Sequence, residues 1–224
     1  MMKNLPILIV GLTVLSYWSS VALLVVRSHV RFRTAAGAVP HTRGEQWMWV
    51  LWPPTVLAWL VLPWLAITVD SPLPGVASLT GGPWIMAVQW VGAMIAVVAW
   101  LSTIPNWWAM GRDWSMAIVP TKRVRLITTG MFAHVRHPIY ALSMLLMLGT
   151  VMAVCSPAIV MVAVLHCYML NRKARNEEAH LRRLHGNAYA GYAQQTGRFL
   201  PRLGCLGAPT AATAPNDKRR RRAA

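Results

Sequence analysis

Residues 138–170 read PIYALSMLLMLGTVMAV, then CS, then PAIVMVAVLHCYML, and this stretch decides the fold. Each half is apolar and each opens on a proline, Pro138 and Pro157. Proline suits the first turn of a helix, where its missing N–H would have had no partner anyway. Ser156 suits the N-cap of the second half. The spacing predicts a tight hairpin of two short apolar helices, Pro138–Val154 and Pro157–Leu170, joined by Cys155-Ser156. The second helix has no reason to stop at a membrane surface. Asn171 to about His185 contains neither Pro nor Gly, so it is expected to continue as a polar extension, capped by Gly186.

Upstream lie three longer apolar spans, Leu5–Val26, Gln46–Val69 and Pro83–Ile104. Each exceeds the roughly 20 residues that cross a hydrocarbon core. The second holds Pro53, Pro54 and Pro63 and is expected to kink. Leu5–Val26 is longer than the roughly 7–15-residue apolar core of a signal peptide. Only Lys3 precedes it and no small-x-small cleavage site closes it, so it is read as a retained helix. Composition agrees: the chain is 56% hydrophobic and 12% charged, with 12 Trp and 13 Met. Soluble domains carry roughly 25% charged residues. The expectation is an all-α, polytopic transmembrane helix bundle of about five spans, with the last helix extended into the cytoplasm.

Residues 106–137 mix Trp107, Trp108, Arg112, Asp113, Trp114, Lys122, Arg123 and Arg125 with short apolar pairs, which predicts an interfacial segment rather than a buried one. From Gly204 the chain is rich in Gly, Ala, Pro and Thr and ends in Lys218-Arg219-Arg220-Arg221-Arg222, which predicts a disordered basic tail. The expected division is 1–106 as scaffold, which the resemblance described below makes the acceptor side, 107–203 as the half that carries the site, and 204–224 as tail. Cys155, Cys167 and Cys205 form no C-x-x-C pair and are read as small hydrophobes. No metal site is expected.

Net charge is +16, from 22 Lys and Arg against six Asp and Glu. Such a balance fits nucleic acid or an anionic membrane face. Here the cations flank apolar spans, so membrane lipid is the expected partner and nucleic acid is not. Arg27, Arg31, Arg33 and Arg43 follow the first span, and the loop 70–82 has no cation. Arg112, Lys122, Arg123, Arg125 and Arg136 follow the third, and the cations after the last span begin at Arg172. The positive-inside rule then puts the N-terminus outside and the C-terminus in the cytoplasm.

Four features on the expected cytoplasmic side carry chemistry. Arg136-His137-Pro138-Ile139-Tyr140 opens a helix, whose free N–H groups and dipole suit an anion, although taken alone a capped helix start with an interfacial arginine is the plainer reading. Glu177-Glu178 are two of only six acids and call for a partner or ligand; a surface pair with Lys173 or Arg182 is the plainer alternative. Tyr189 and Tyr192, between His185-Gly186 and Arg198-Phe199-Leu200-Pro201, read singly as interface anchors. In Gly111-Arg112-Asp113-Trp114-Ser115, Arg112 and Asp113 can simply pair.

The order and spacing of these features are more specific than any one of them. Gly111-Arg112-x-Trp114-Ser115, Gly130-Met131-Phe132, Arg136-His137-Pro138-x-Tyr140, Glu177-Glu178-x-x-Leu181, Gly186-x-x-Tyr189-x-x-Tyr192 and Pro201 run in sequence. Residues 107–203 thereby resemble the isoprenylcysteine carboxyl methyltransferase and phospholipid methyltransferase superfamily of integral membrane enzymes. The resemblance implies S-adenosylmethionine as methyl donor, in a cytosol-facing pocket among the last helices. It implies cofactor contacts from Val124, Arg125, Leu126, Ile127, Phe132, Arg136, His137, Pro138, Ile139, Tyr140, Glu177 and Glu178. The methyl acceptor would be a lipophilic or small molecule carrying a carboxylate, thiol or amine. His137 and His185 are the candidate bases where a proton must leave, and Arg175 lies near the substrate-binding arginine of the prenylcysteine enzymes.

The chain departs from the pattern at three places. Phe132 stands where a tyrosine is common, Ala141 where glycine usually follows, and His185 where phenylalanine usually precedes Gly186. A sterol-reductase-like enzyme using a nicotinamide cofactor, or a non-catalytic membrane scaffold, are the competing readings.

Overall fold

A computed structural model describes residues 4–32, 43–68, 82–116 and 124–202. The basic tail, Arg33, Lys122, Arg123 and Cys205 lie outside the described residues, as does the side chain of Arg112. The described chain is helical: α1 (Leu5–Phe32), α2 (Arg43–Thr68), α3 (Pro83–Met110), α4 (Pro138–Val154), α5 (Pro157–His185) and α6 (Asn187–Gln195). Short 3-10 turns at Gly111–Asp113 and Gly130–Ala133 bracket the connection from α3 to α4.

Helices α1, α2 and α3 are long and apolar enough to cross a membrane by length and composition. Helix α4 has 17 residues, about 25 Å at 1.5 Å per residue, a little short of a core about 30 Å thick. Helix α5 is 29 residues long, apolar in its first half and polar in its second. The hairpin forms as the sequence predicts. The Ser156 hydroxyl accepts from the Ala158 N–H at 3.3 Å, with Pro157 in the first turn. Cys155, in the left-handed region at φ 49°, ends α4.

Helices α3 and α4 form the tightest pair. Small residues face each other there: Gly92, Ala93, Ala96 and Ala99 on α3, Gly149 and Ala153 on α4. A Cβ built on Gly149 would lie 2.5 Å from the Gly92 carbonyl oxygen, and one on Gly92 would lie 2.7 Å from the Gly149 oxygen. Helices in lipid lack a hydrophobic force between them, so close backbone approach of this kind supplies the packing. Val10, Val14 and Tyr17 of α1, Trp59 of α2 and Ile159 of α5 close around the pair. Leu12, Leu23, Met94, Val98, Met161 and Val164 are exposed on the outer faces, as lipid-facing helices require.

Three expectations need correction. Helix α3 does not end at Ile104: it continues through Pro105 to Met110, and Asn106 and Trp107 are buried. The break in apolar pattern marks the end of the lipid-facing surface, not the end of the helix. The interfacial reading therefore fails for Asn106, Trp107 and also Phe132, which is buried, while Trp108 is exposed. Tyr189 and Tyr192 are buried in α6 and are not interface anchors. Helix α6 itself is an addition. Gly186, with φ 51°, ends α5 as expected and lets the chain turn straight into another helix.

Candidate active site

Two segments distant in sequence pair at the polar end of the bundle. Residues 134–137 run beside 196–198, with the Arg136 N–H donating to the Gly197 carbonyl (2.8 Å) and the His137 N–H to the Arg198 carbonyl (3.1 Å). A parallel bridge joins Val135 and Gly197. This pairing folds α6 back over the start of α4. The Arg136 guanidinium locks it, donating from Nη1 to the Ala193 carbonyl (3.0 Å) and the Thr196 carbonyl, both at the end of α6. Such carbonyls lack helical partners, and a cation satisfies them.

The same arginine reaches α5, with its Nε 3.1 Å from Glu178 Oε1. Arg198 grips both Glu178 oxygens. His137 lies between the acids, with Nε2 3.3 Å from Glu178 Oε1 and Nδ1 3.6 Å from Glu177 Oε2. Burial alone raises the Glu178 pKa. Hydrogen bonds from His137 and Arg198, with the Arg136 charge, outweigh burial and hold its carboxyl well below the usual range. The surface pairing of Glu178 with Arg182 therefore does not occur. Glu177 instead accepts from the Tyr140 hydroxyl, and the Tyr140 ring stacks on His137 at 5.3 Å. Asp113 pairs with Arg125 at 2.8 Å.

These groups surround a cavity of about 1380 Å³, counted with the space open at its mouth. Its polar end is lined by Asp113, Arg125, Arg136, His137, Tyr140 and Glu177, with Val124, Leu126, Ile127, Phe132, Pro138 and Ile139 as an apolar wall. Eleven of the expected cofactor contacts thus share one cavity. Glu178, the twelfth, stands behind the wall in the ion-pair network. Arg175 and His185 lie off the lining. His185 Nε2 is 3.0 Å from the Val124 carbonyl; a carbonyl only accepts, so Nε2 donates and the ring pins that segment in place.

The cavity continues inward past Lys173 to Tyr17, Trp18 and Val21 of α1, Trp52 of α2, Trp107 of α3 and Ser143 of α4. The Lys173 ammonium lies 5.3 Å from the centre of the Tyr140 ring and 5.6 Å from that of Trp52, so it marks the passage between the two ends. The motifs alone do not reveal this inner part. A signal was present in Trp18, which sits mid-span where tryptophan, an interfacial residue, is out of place.

Helices of membrane-crossing length thus surround a cavity that is polar at one end and aromatic at the other. Residues 92–183 match the family model of the isoprenylcysteine carboxyl methyltransferase family. Over that stretch the chain is similar to a family of membrane methyltransferases. The match is less than half of the chain and runs from α3 through most of α5, ending before α6. No curated protein matches the chain.

Proposed function

We propose that the protein transfers the methyl group of S-adenosylmethionine to a lipophilic acceptor, with the cofactor at the polar end of the cavity and the acceptor at the aromatic end. One observation carries this reading: a single cavity joins the motif-bearing ends of α4 and α5 to aromatic side chains of α1 and α2. The residues fit the cofactor's chemistry. The Glu177 carboxylate, partly exposed on the lining, suits an ammonium or ribose hydroxyls. Leu126, Ile127, Phe132 and Ile139 offer an apolar wall for a purine. The Tyr189 hydroxyl, buried on the lining, has no hydrogen-bond partner among the described residues, and buried polar groups without partners are rare.

When bound, the sulfonium supplies an intrinsically reactive methyl group, so the protein's task is positioning and exclusion of water. The Arg136–Glu178–Arg198 network fixes the start of α4 against α5, and with it the His137–Tyr140 stack. Arg125, held by Asp113, anchors the 124–127 segment on the cavity lining. Trp52, Tyr140 and Lys173 narrow the passage to the acceptor side. We place the mouth in the cytoplasm, following the cation distribution.

The test is labelled methyl transfer from S-adenosylmethionine into fractionated host lipids and small molecules, with calorimetric binding of S-adenosylhomocysteine to the purified protein. Label in a lipophilic product and saturable binding are expected. Absence of binding to the folded protein sinks the reading, and binding of a nicotinamide cofactor instead replaces it.

A further inference from the structure

Behind the aromatic end of the cavity runs a polar strip that the proposed methyl transfer does not use. Ser143 lines the cavity, yet its side chain is itself 2% exposed. Its hydroxyl is 3.1 Å from His166 Nε2, and Tyr17 lines the same end of the cavity. His166 is 1% exposed and lies in the apolar half of α5. Its ring meets Trp59 edge-on at 4.8 Å, and the Trp59 indole N–H donates to Thr150 at 3.1 Å. A titratable side chain in the apolar part of a membrane bundle is costly and marks a function more often than packing. A network kept there orients one polar group, and Ser143 is the member that meets the cavity.

We propose that Ser143 binds the head group of the methyl acceptor, and that His166 acts through Ser143 as a positioning residue. A hydroxyl oriented by an imidazole both donates and accepts. It suits an uncharged head that does the same, namely an alcohol or thiol on an apolar chain. The Tyr17, Trp18 and Trp52 rings supply the apolar walls for that chain. This rests on the assignment of the cofactor to the polar end, which leaves the inner end for the acceptor.

The test uses the full chain in lipid nanodiscs and three photoreactive probes with the same dodecyl diazirine chain: an alcohol, a carboxylate and a plain hydrocarbon. Labelled peptides are mapped by mass spectrometry. In the wild type the alcohol should label peptides bearing Tyr17, Trp18 or Trp52 more strongly than the hydrocarbon does. Ser143→Ala and His166→Leu should lower alcohol labelling about five-fold, the value of one hydrogen bond, with hydrocarbon labelling unchanged. His166→Gln, which keeps a hydrogen-bonding group near Ser143, should restore it. Unchanged alcohol labelling in Ser143→Ala overturns the proposal, as does preferential labelling by the carboxylate. Binding of S-adenosylhomocysteine to the same samples separates the two readings. Its loss in the wild type removes the cofactor assignment, whereas its retention in Ser143→Ala shows a folded protein in which labelling judges Ser143 alone.

Discussion

Arg198 and Glu178 form a two-pronged ion pair, with Nε 2.9 Å from Oε1 and Nη2 2.7 Å from Oε2. The contact joins the segment after α6 to the polar half of α5. Arg136 shares the same carboxylate from the start of α4. Three segments from different parts of the chain thus meet on one side chain. Arg198→Ala should destabilise the protein by about 2 kcal/mol, within the range for breaking a hydrogen-bonded charge pair and reduced for partial exposure. Arg198→Lys should recover only part of this, because an ammonium cannot copy the planar fork. Thermal unfolding in detergent, followed by circular dichroism, measures both.

The same pair sets an acid limit. Glu178 is held below its ordinary pKa of 4.5. Its contribution is therefore fully present above about pH 4.5 and is lost as pH falls through the folded-state value. The midpoint of thermal unfolding should fall steeply below pH 4.5 in the wild type. In Glu178→Gln it should start lower and vary less over the same window. Parallel curves for the two proteins would remove Glu178 from the account.

Packing of α3 on α4 has no slack at Gly149. A side chain there meets the Gly92 carbonyl and the Ala96 backbone, neither of which can swing aside. Gly149→Ala should cost about 1–3 kcal/mol, the usual cost of overpacking. The double variant Gly149→Ala with Ala96→Gly should recover little, because the Gly92 oxygen remains in the way. Unfolding midpoints of the single and double variants decide this.

The α4–α5 hairpin was legible to the residue, because Pro138, Ser156, Pro157 and Gly186 are local signals that act on their own backbone. The length of α3 was not, because burial of Asn106 and Trp107 depends on α1 and on the turn at Gly130–Ala133, which local pattern does not encode. The motif residues at the polar end were found by their order along the chain. The pairing of Arg136 with Glu178 was not legible, because order along the chain does not encode which charges the fold brings together. Tyr17, Ser143 and His166 were invisible for a simpler reason. Each is one polar residue within an apolar span, and only the packing of α1, α4 and α5 brings them together.

The two adjacent acids should separate by experiment. Glu177 lies on the cavity lining and Glu178 behind it. Glu177→Gln should weaken S-adenosylhomocysteine binding about ten-fold, the loss of one charge-assisted contact, with the unfolding midpoint nearly unchanged. Glu178→Ala should lower both binding and the midpoint, because it releases Arg136 and Arg198 together. Calorimetry beside thermal unfolding reads the difference. A Glu177→Gln protein that binds as the wild type does would move the ligand contact away from this carboxylate.

Tyr189 offers the sharpest contrast between stability and binding. Its hydroxyl is buried without a hydrogen-bond partner among the described residues. Burial, with the nearby Glu178 charge adding to it, pushes its pKa from 10.0 up to about 12. The neutral form is thus favoured in the fold: this contribution is full below pH 10 and is lost as pH rises toward 12. Tyr189→Phe should remove that alkaline sensitivity and leave stability at pH 7 unchanged or slightly higher, since it deletes an unpaired polar group. If the hydroxyl completes the cofactor site, the same variant should bind S-adenosylhomocysteine about five-fold more weakly. Lower stability at pH 7 would mean that the hydroxyl already has a partner within the fold, and unchanged binding would leave it a matter of packing alone.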